Sequence, residues 1–299
     1  REIRYLGISD TANLALQYQA EHSEIKKTNI KTYNTTRDRF EIKEIIDKTE
    51  TLIIILGVHV PGKYLSAVPG TLKEVQELVK DIKCKKILTG PVFFGTQLEG
   101  GKFSEKIDKS IFDDIKIFEI SYEKLKEAAF LGADIIKQIP KLRIIEIETG
   151  HGCNVGKCSF CTEPLKNKVE YRQMEDIVIE VKRFYDLGIK YFRLGKQTCF
   201  YSYIDPINLL KKIREECPKI EVLHIDNVNP IFVNTQKGIE ITKAIVKYCT
   251  PGNVAALGIE SFDIDVVNQN MLNCKPDIAL NAIRTINKYG AERGFNGMP

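Results

Sequence analysis

Two apolar patterns alternate along the chain. Short unbroken runs of β-branched residues, such as Thr51-Leu52-Ile53-Ile54-Ile55-Leu56-Gly57, have the character of strands buried inside a parallel sheet. Between them apolar side chains return every three or four residues, as at 71–81, where Val75, Leu78, Val79 and Ile82 share one helical face. Over residues 1–140 these patterns predict a helix at 14–20, a strand at 30–33 and an amphipathic stretch at 42–47. Strands follow at 51–57, 86–90 and 115–120, helices at 71–81 and 122–131, and glycine-rich loops at 59–70 and 95–101. Strand, loop and helix in repetition predict a doubly wound, Rossmann-like α/β domain that ends near Pro140.

From residue 141 to residue 299 the rhythm changes. Strands are expected at 142–148, 191–194, 221–225 and 254–259, and helices at 174–187, 206–216, 239–248 and 279–289. Four β/α units in series make half of an eight-unit barrel or two thirds of a six-unit one, so the barrel is expected to be incomplete after its fourth unit. In such barrels the chemistry sits at the C-terminal ends of the strands.

Composition adds little until the cysteines are placed. The 44 basic and 40 acidic residues give a net charge of +4, spread evenly, so no basic block marks a phosphate-tracking surface. The longest apolar run, 52–56, is far too short to cross a membrane. Of eight cysteines three crowd into residues 153–161, while Cys84, Cys199, Cys217, Cys249 and Cys274 are scattered. That distribution suits a reducing, cytoplasmic setting and a metal site better than a disulfide framework. The chain opens on Arg1 and closes on Phe295-Asn296-Gly297-Met298-Pro299, a strand-like ending, and the native protein is expected to extend beyond both.

Thr149-Gly150-His151-Gly152-Cys153-Asn154-Val155-Gly156-Lys157-Cys158-Ser159-Phe160-Cys161-Thr162 directly follows the first barrel strand, and its glycines let the backbone wrap a compact group. Iron–sulfur clusters take several soft thiolates from one short loop, and three thiolates leave one iron of a [4Fe–4S] cluster without a protein ligand. A zinc site is a second reading, with His151 available to complete a set, although no second C-x-x-C or H-x3-H follows. Three inert thiols are a third.

The loop resembles that of the radical SAM superfamily, which carries C-x3-C-x2-C, with an aromatic before the third cysteine, after strand one of a (β/α)6 barrel. Here the spacing is C-x4-C-x2-C and Phe160 takes the aromatic place. The resemblance implies that Cys153, Cys158 and Cys161 hold the cluster, whose open iron chelates S-adenosylmethionine. Reductive cleavage then releases a 5′-deoxyadenosyl radical that abstracts hydrogen from a substrate.

The same resemblance nominates the other strand ends. Gly195-Lys196-Gln197 stands where the family has a Gly-Gly-Glu-like segment that receives the methionine ammonium, with Gln197 or main-chain carbonyls replacing the acid. Asn227, and Asn229 before Pro230, are candidates for the ribose or the substrate. Gly258-Ile259-Glu260-Ser261 is similar to a Gly-Ile-Glu-Ser segment near the methionine and ribose, which nominates Glu260 and Ser261. Cys199 has two readings, a radical or sulfur relay and a buried inert thiol.

In several branches of the family a Rossmann-like domain before the barrel binds cobalamin through Asp-x-His-x-x-Gly. Gly57-Val58-His59-Val60-Pro61-Gly62 has His-x-x-Gly without the Asp, so a cobalamin-type domain lacking the cofactor is expected. This segment, Leu88-Thr89-Gly90-Pro91, and the run from Cys158 to Pro164 together resemble a mainly archaeal group of radical SAM Fe–S oxidoreductases. The implied partners are an RNA or protein substrate and an electron donor such as ferredoxin or flavodoxin. A methylthiotransferase needs three further cysteines in the N-terminal domain, where only Cys84 occurs. A non-enzymatic iron–sulfur or zinc binding module is the remaining alternative.

Overall fold

The computed structural model describes residues 3–5, 49–55, 72–89, 108–115, 121–123, 125, 126, 133, 136, 142–161, 163–195 and 197–290. The patterns read at 14–20, 30–33 and 42–47, the loop 95–101 and His59 lie outside these residues. Strand β1 (Ile3–Tyr5) comes first, followed by β2 (Thr51–Ile55), helix α1 (Leu72–Val79), β3 (Lys85–Thr89) and β4 (Asp114–Ile115). Strands β2, β3 and β4 pair in parallel in that order, with Ile53 beside Ile87 and Leu88 beside Ile115. Parallel neighbours require a crossover, and α1 provides it between β2 and β3. Val75 and Val79 of that helix, with Ile82, pack with Leu88 and Phe112 into a small core. The α/β alternation read in this half is therefore present wherever it is described.

A second parallel sheet runs in the order β1, β5 (Leu142–Glu148), β8 (Tyr191–Gly195) and β9 (Val222–Ile225). Between β5 and β8 lie β6 (Gly150–His151), α2 (Glu163–Lys166), β7 (Glu170–Tyr171) and α3 (Met174–Asp186). Helix α4 (Pro206–Glu216) connects β8 to β9, with Pro206 in its first turn and Asp205 capping it by accepting the Asn208 N–H at 3.2 Å. After β9 come β10 (Asn227–Val228), α5 (Pro230–Val233), α6 (Gln236–Tyr248), β11 (Ala256–Leu257), α7 (Ile264–Gln269) and α8 (Pro276–Gly290). No helix among the described residues is long and apolar enough to cross a membrane.

Period-two alternation sorts the sheet into two faces. Ile145, Ile147, Phe192, Leu194, Leu223 and Ile225 lie in one core with Ile177 and Val181 of α3, Leu209 and Ile213 of α4, and Ile241 of α6. Each such side chain, once buried, contributes roughly 1.5–3 kcal/mol. The alternate positions carry Glu146, Glu148, Arg193 and Asp226, and Arg193 pairs with Asp226 across neighbouring strands.

The fourth strand is shorter than the expected 254–259, because its approach is taken up by other bonds. Gly252 turns the chain with φ of +85°, and the Asn253 side-chain oxygen accepts the Ile225 N–H at 2.7 Å, in the place of a backbone partner. Pairing begins only at Ala256, beside Asn227 of β10, and β10 is the only strand paired with β11 among the described residues. Phe192 is fully buried between β5 and β9. Phe192→Ala is expected to lower the unfolding free energy of its sheet by about 3–5 kcal/mol, read from urea denaturation of the full chain.

Candidate functional site

The cysteine loop leaves the sheet at the C-terminal end of β5, where Thr149 donates its N–H to the Gly195 carbonyl at 3.3 Å. It is closed at its base by the antiparallel pair β6–β7, with Gly150 opposite Tyr171 and His151 opposite Glu170. Gly152 has φ of +79°, and a β-carbon there would lie 2.5 Å from the Lys168 carbonyl oxygen, so no other residue fits. The Gly152 N–H is held at 3.0 Å by the carboxylate of Glu163, which opens α2, and its carbonyl accepts the Thr198 hydroxyl at 2.9 Å. Gly156 donates its N–H to the Cys153 sulfur at 3.4 Å, and the Cys161 N–H closes a turn on the Cys158 carbonyl at 3.1 Å.

Cys153, Cys158 and Cys161 are free, partly exposed thiols. Burial pushes the Cys158 thiol up, an effect opposed by the Asn273 backbone N–H and reinforced by the nearby Cys161 and Cys153. Among the described residues no three His, Cys, Asp or Glu side chains converge as the ligands of a single metal ion must. His151, the candidate to complete a zinc set, is committed elsewhere. Its Nδ1 lies 2.6 Å from the Tyr122 hydroxyl and 3.4 Å from Glu148, and its Nε2 lies 3.5 Å from Glu170. The hydrogen bond to Glu148 raises its pKa against the effect of burial.

Beneath the loop sits a buried ion pair. Arg172 is 1% exposed and Glu180 of α3 is 3% exposed, and a 2.6 Å bond joins them. The Arg172 guanidinium also donates to the Glu148 carbonyl at 2.9 Å, its N–H to the Thr149 carbonyl at 3.1 Å, and its own carbonyl accepts the Tyr203 hydroxyl at 2.9 Å. Burial pushes the Glu180 carboxyl up, with Arg172 opposing. Tyr122 donates to Glu148 at 2.8 Å, while Lys126, four residues later, pairs with Asp176 of α3 at 2.8 Å. Burial holds the Tyr122 phenol protonated by pushing its pKa up.

The other candidates lie at neighbouring strand ends. Gly195 ends β8 with Glu146 and Asp226 so close that a β-carbon would lie 2.7 Å from the Glu146 carboxylate. Gln197 is 2% exposed, and neither its side-chain oxygen nor its nitrogen has a hydrogen-bond partner among the described residues. Asn227 donates to the Gln197 carbonyl at 3.4 Å, whereas Asn229 is a cap, accepting the Ile231 N–H at 3.2 Å. Lys196 lies outside the described residues. Glu260 is exposed and makes no hydrogen bond or ion pair among the described residues, and the Ser261 hydroxyl accepts the Asp263 N–H at 3.0 Å. Phe160 is 50% exposed. Cys199 is buried, takes the Asn229 N–H at 3.2 Å, and has its pKa raised by burial, the setting of an inert thiol.

A family model described as the radical SAM superfamily matches residues 147–299. The chain belongs to that family. Radical SAM proteins use a [4Fe–4S] cluster and S-adenosylmethionine. An uncharacterized protein of Methanocaldococcus jannaschii is 36% identical over 92% of this chain and 60% of its own length. Another, from Archaeoglobus fulgidus, is 38% identical over 90% of this chain and 54% of its own. The chain thus spans little more than half the length of these archaeal relatives. Among solved structures, the radical S-adenosylmethionine methyltransferase TsrM from Kitasatospora setae, with cobalamin and a [4Fe–4S] cluster bound, matches with a TM-score of 0.59. It covers 96% of this chain and 64% of its own at 13% identity, so the likeness is one of fold.

Arg172, Glu180 and Tyr122 escape a motif search of the radical SAM loop, since all three lie outside it and meet its base only in the folded chain. Glu146 and Glu148 leave a signal, because two acids alternating with buried isoleucines must share the other face of β5. Glu180→Ala leaves the Arg172 charge buried and unpaired, and an unfolding free energy lower by about 3–5 kcal/mol is expected. Replacing both partners, by Arg172→Met with Glu180→Leu, is expected to recover part of that loss in the same denaturant titration.

Proposed function

We propose that the protein is a radical SAM enzyme in which Cys153, Cys158 and Cys161 hold the [4Fe–4S] cluster and the ends of β8, β10 and β11 receive S-adenosylmethionine. The observation that carries this reading is the cysteine loop: three free thiols on one glycine-turned loop at the C-terminal end of β5. The donor set fits the group, since three soft thiolates bind a cluster and leave one iron open. The Gly156 N–H already directed at the Cys153 sulfur stabilises a thiolate ligand. When bound, cluster and cofactor supply the chemistry of reductive S-adenosylmethionine cleavage and hydrogen abstraction.

The chain's own residues bind and orient. Gln197 offers a carboxamide with no partner among the described residues, whose oxygen accepts from the methionine ammonium, and Asn227 fixes that segment through its bond to the Gln197 carbonyl. Gly195, which leaves room for the Glu146 and Asp226 carboxylates, and Lys196 belong to the same segment, and Phe160 shields the cysteine turn. Glu260 accepts from ribose hydroxyls or the ammonium. Ser261, whose oxygen is occupied by the Asp263 N–H, keeps its own proton to donate. Division into a Rossmann-like domain at 1–140 and a barrel at 141–299, an RNA or protein substrate, a ferredoxin or flavodoxin as electron donor and a cytoplasmic setting complete the proposal.

Anaerobically reconstituted protein is expected to bind about four irons and four sulfides, and to form 5′-deoxyadenosine from S-adenosylmethionine under a strong reductant. The triple Cys153→Ala, Cys158→Ala, Cys161→Ala variant should bind no cluster, and full occupancy there overturns the assignment. Glu260→Ala should weaken cofactor binding roughly ten- to a hundredfold with the cluster absorbance and unfolding midpoint unchanged. Unchanged affinity removes Glu260 from the pocket.

A further inference from the structure

The cysteine loop is gripped from a second side, by the turn that follows α7. Ser159, inside the Cys158–Cys161 turn, donates its backbone N–H to the Asn270 carbonyl at 3.0 Å and its hydroxyl to the Asn270 side-chain oxygen at 2.8 Å. Asn270 is itself fixed, because its backbone N–H and its side-chain nitrogen both donate to the Val266 carbonyl, at 3.1 and 3.0 Å. The next residue, Met271, has φ of 49°, a left-handed conformation that a side chain with a β-carbon rarely adopts. An exposed serine at a loop tip ordinarily bonds to water. Here one asparagine from the fourth β/α unit takes both of its donors.

We propose that Asn270 is a positioning residue for the cluster: by taking both donors of Ser159 it fixes the turn that carries Cys158 and Cys161. In this way it sets the reduction potential and slows the loss of iron. The inference rests on the three-cysteine reading above. The potential of a cluster depends on the hydrogen bonds to its sulfurs and on its exposure to solvent, and both follow from the conformation of the turn that carries the thiols. Groups that orient ligands without touching the metal also govern how well it is retained.

The test uses the full chain, reconstituted anaerobically, as wild type, Asn270→Ala, Ser159→Ala, the double variant and Ser159→Thr. Iron and sulfide per chain, the midpoint from a redox titration followed by electron paramagnetic resonance, and the rate of iron release to a chelator are measured. Asn270→Ala is expected to load a full cluster, to shift the midpoint and to release iron about tenfold faster. Ser159→Ala should move both quantities in the same direction. The double variant should match Asn270→Ala alone, since both changes remove one shared bond. Ser159→Thr, which keeps the hydroxyl, should restore wild-type values. A loaded Asn270→Ala cluster with unchanged midpoint and unchanged release overturns the inference while leaving the cysteine assignment intact. If Asn270→Ala does not fold, wild-type midpoint and release in Ser159→Ala overturn it equally. A wild-type chain that takes up no cluster defeats the cysteine assignment itself, and this inference with it.

Discussion

The cysteine loop depends on a charge that water cannot reach. Arg172 directly follows β7, and its guanidinium binds the Glu148 carbonyl at the end of β5 and the Glu180 carboxylate of α3. Taking a guanidinium out of water is strongly unfavourable unless its hydrogen bonds are replaced, and Glu180 with the Glu148 carbonyl replaces two of them. The pair is joined at one point only, since the other Arg172 nitrogens and the second Glu180 oxygen have no hydrogen-bond partner among the described residues. Such an arrangement fixes geometry more than it adds stability. It holds the departure of the loop from β5 in one place.

Much of the architecture was legible because it is written in local periodicity. The strand expected at 142–148 is observed as Leu142–Glu148, and the helix expected at 206–216 as Pro206–Glu216, where an Asp-Pro start sharpens the boundary. The helix expected at 239–248 begins earlier, at Gln236, because Thr235 caps it by accepting the Gly238 N–H. The strand expected at 254–259 shrank for the opposite reason: β-branched and apolar residues promised pairing, but the bond from Ile225 to the Asn253 side chain delays it. Propensity reports what a segment prefers and carries no information about which partner is free.

The site divides in the same way. Cys153, Cys158, Cys161 and the glycines around them form a contiguous motif, so both the loop and its conformational demands are visible in the sequence. Asn229 had a turn reading and a ligand reading, and its bond to the Ile231 N–H is the turn. The residues that support the loop were not legible. Tyr122 reaches Glu148 and His151 from the N-terminal half, and Asn270 reaches Ser159 from the fourth unit, each a pairing that only the folded chain creates.

The bond between Ser159 and Asn270 spans 111 positions of the chain. Synthesis proceeds at about 5–20 residues per second, so the two sides of this contact leave the ribosome on the order of ten seconds apart. For that interval Ser159 lacks the residue that takes both of its donors, and the turn between Cys158 and Cys161 is free to sample other conformations.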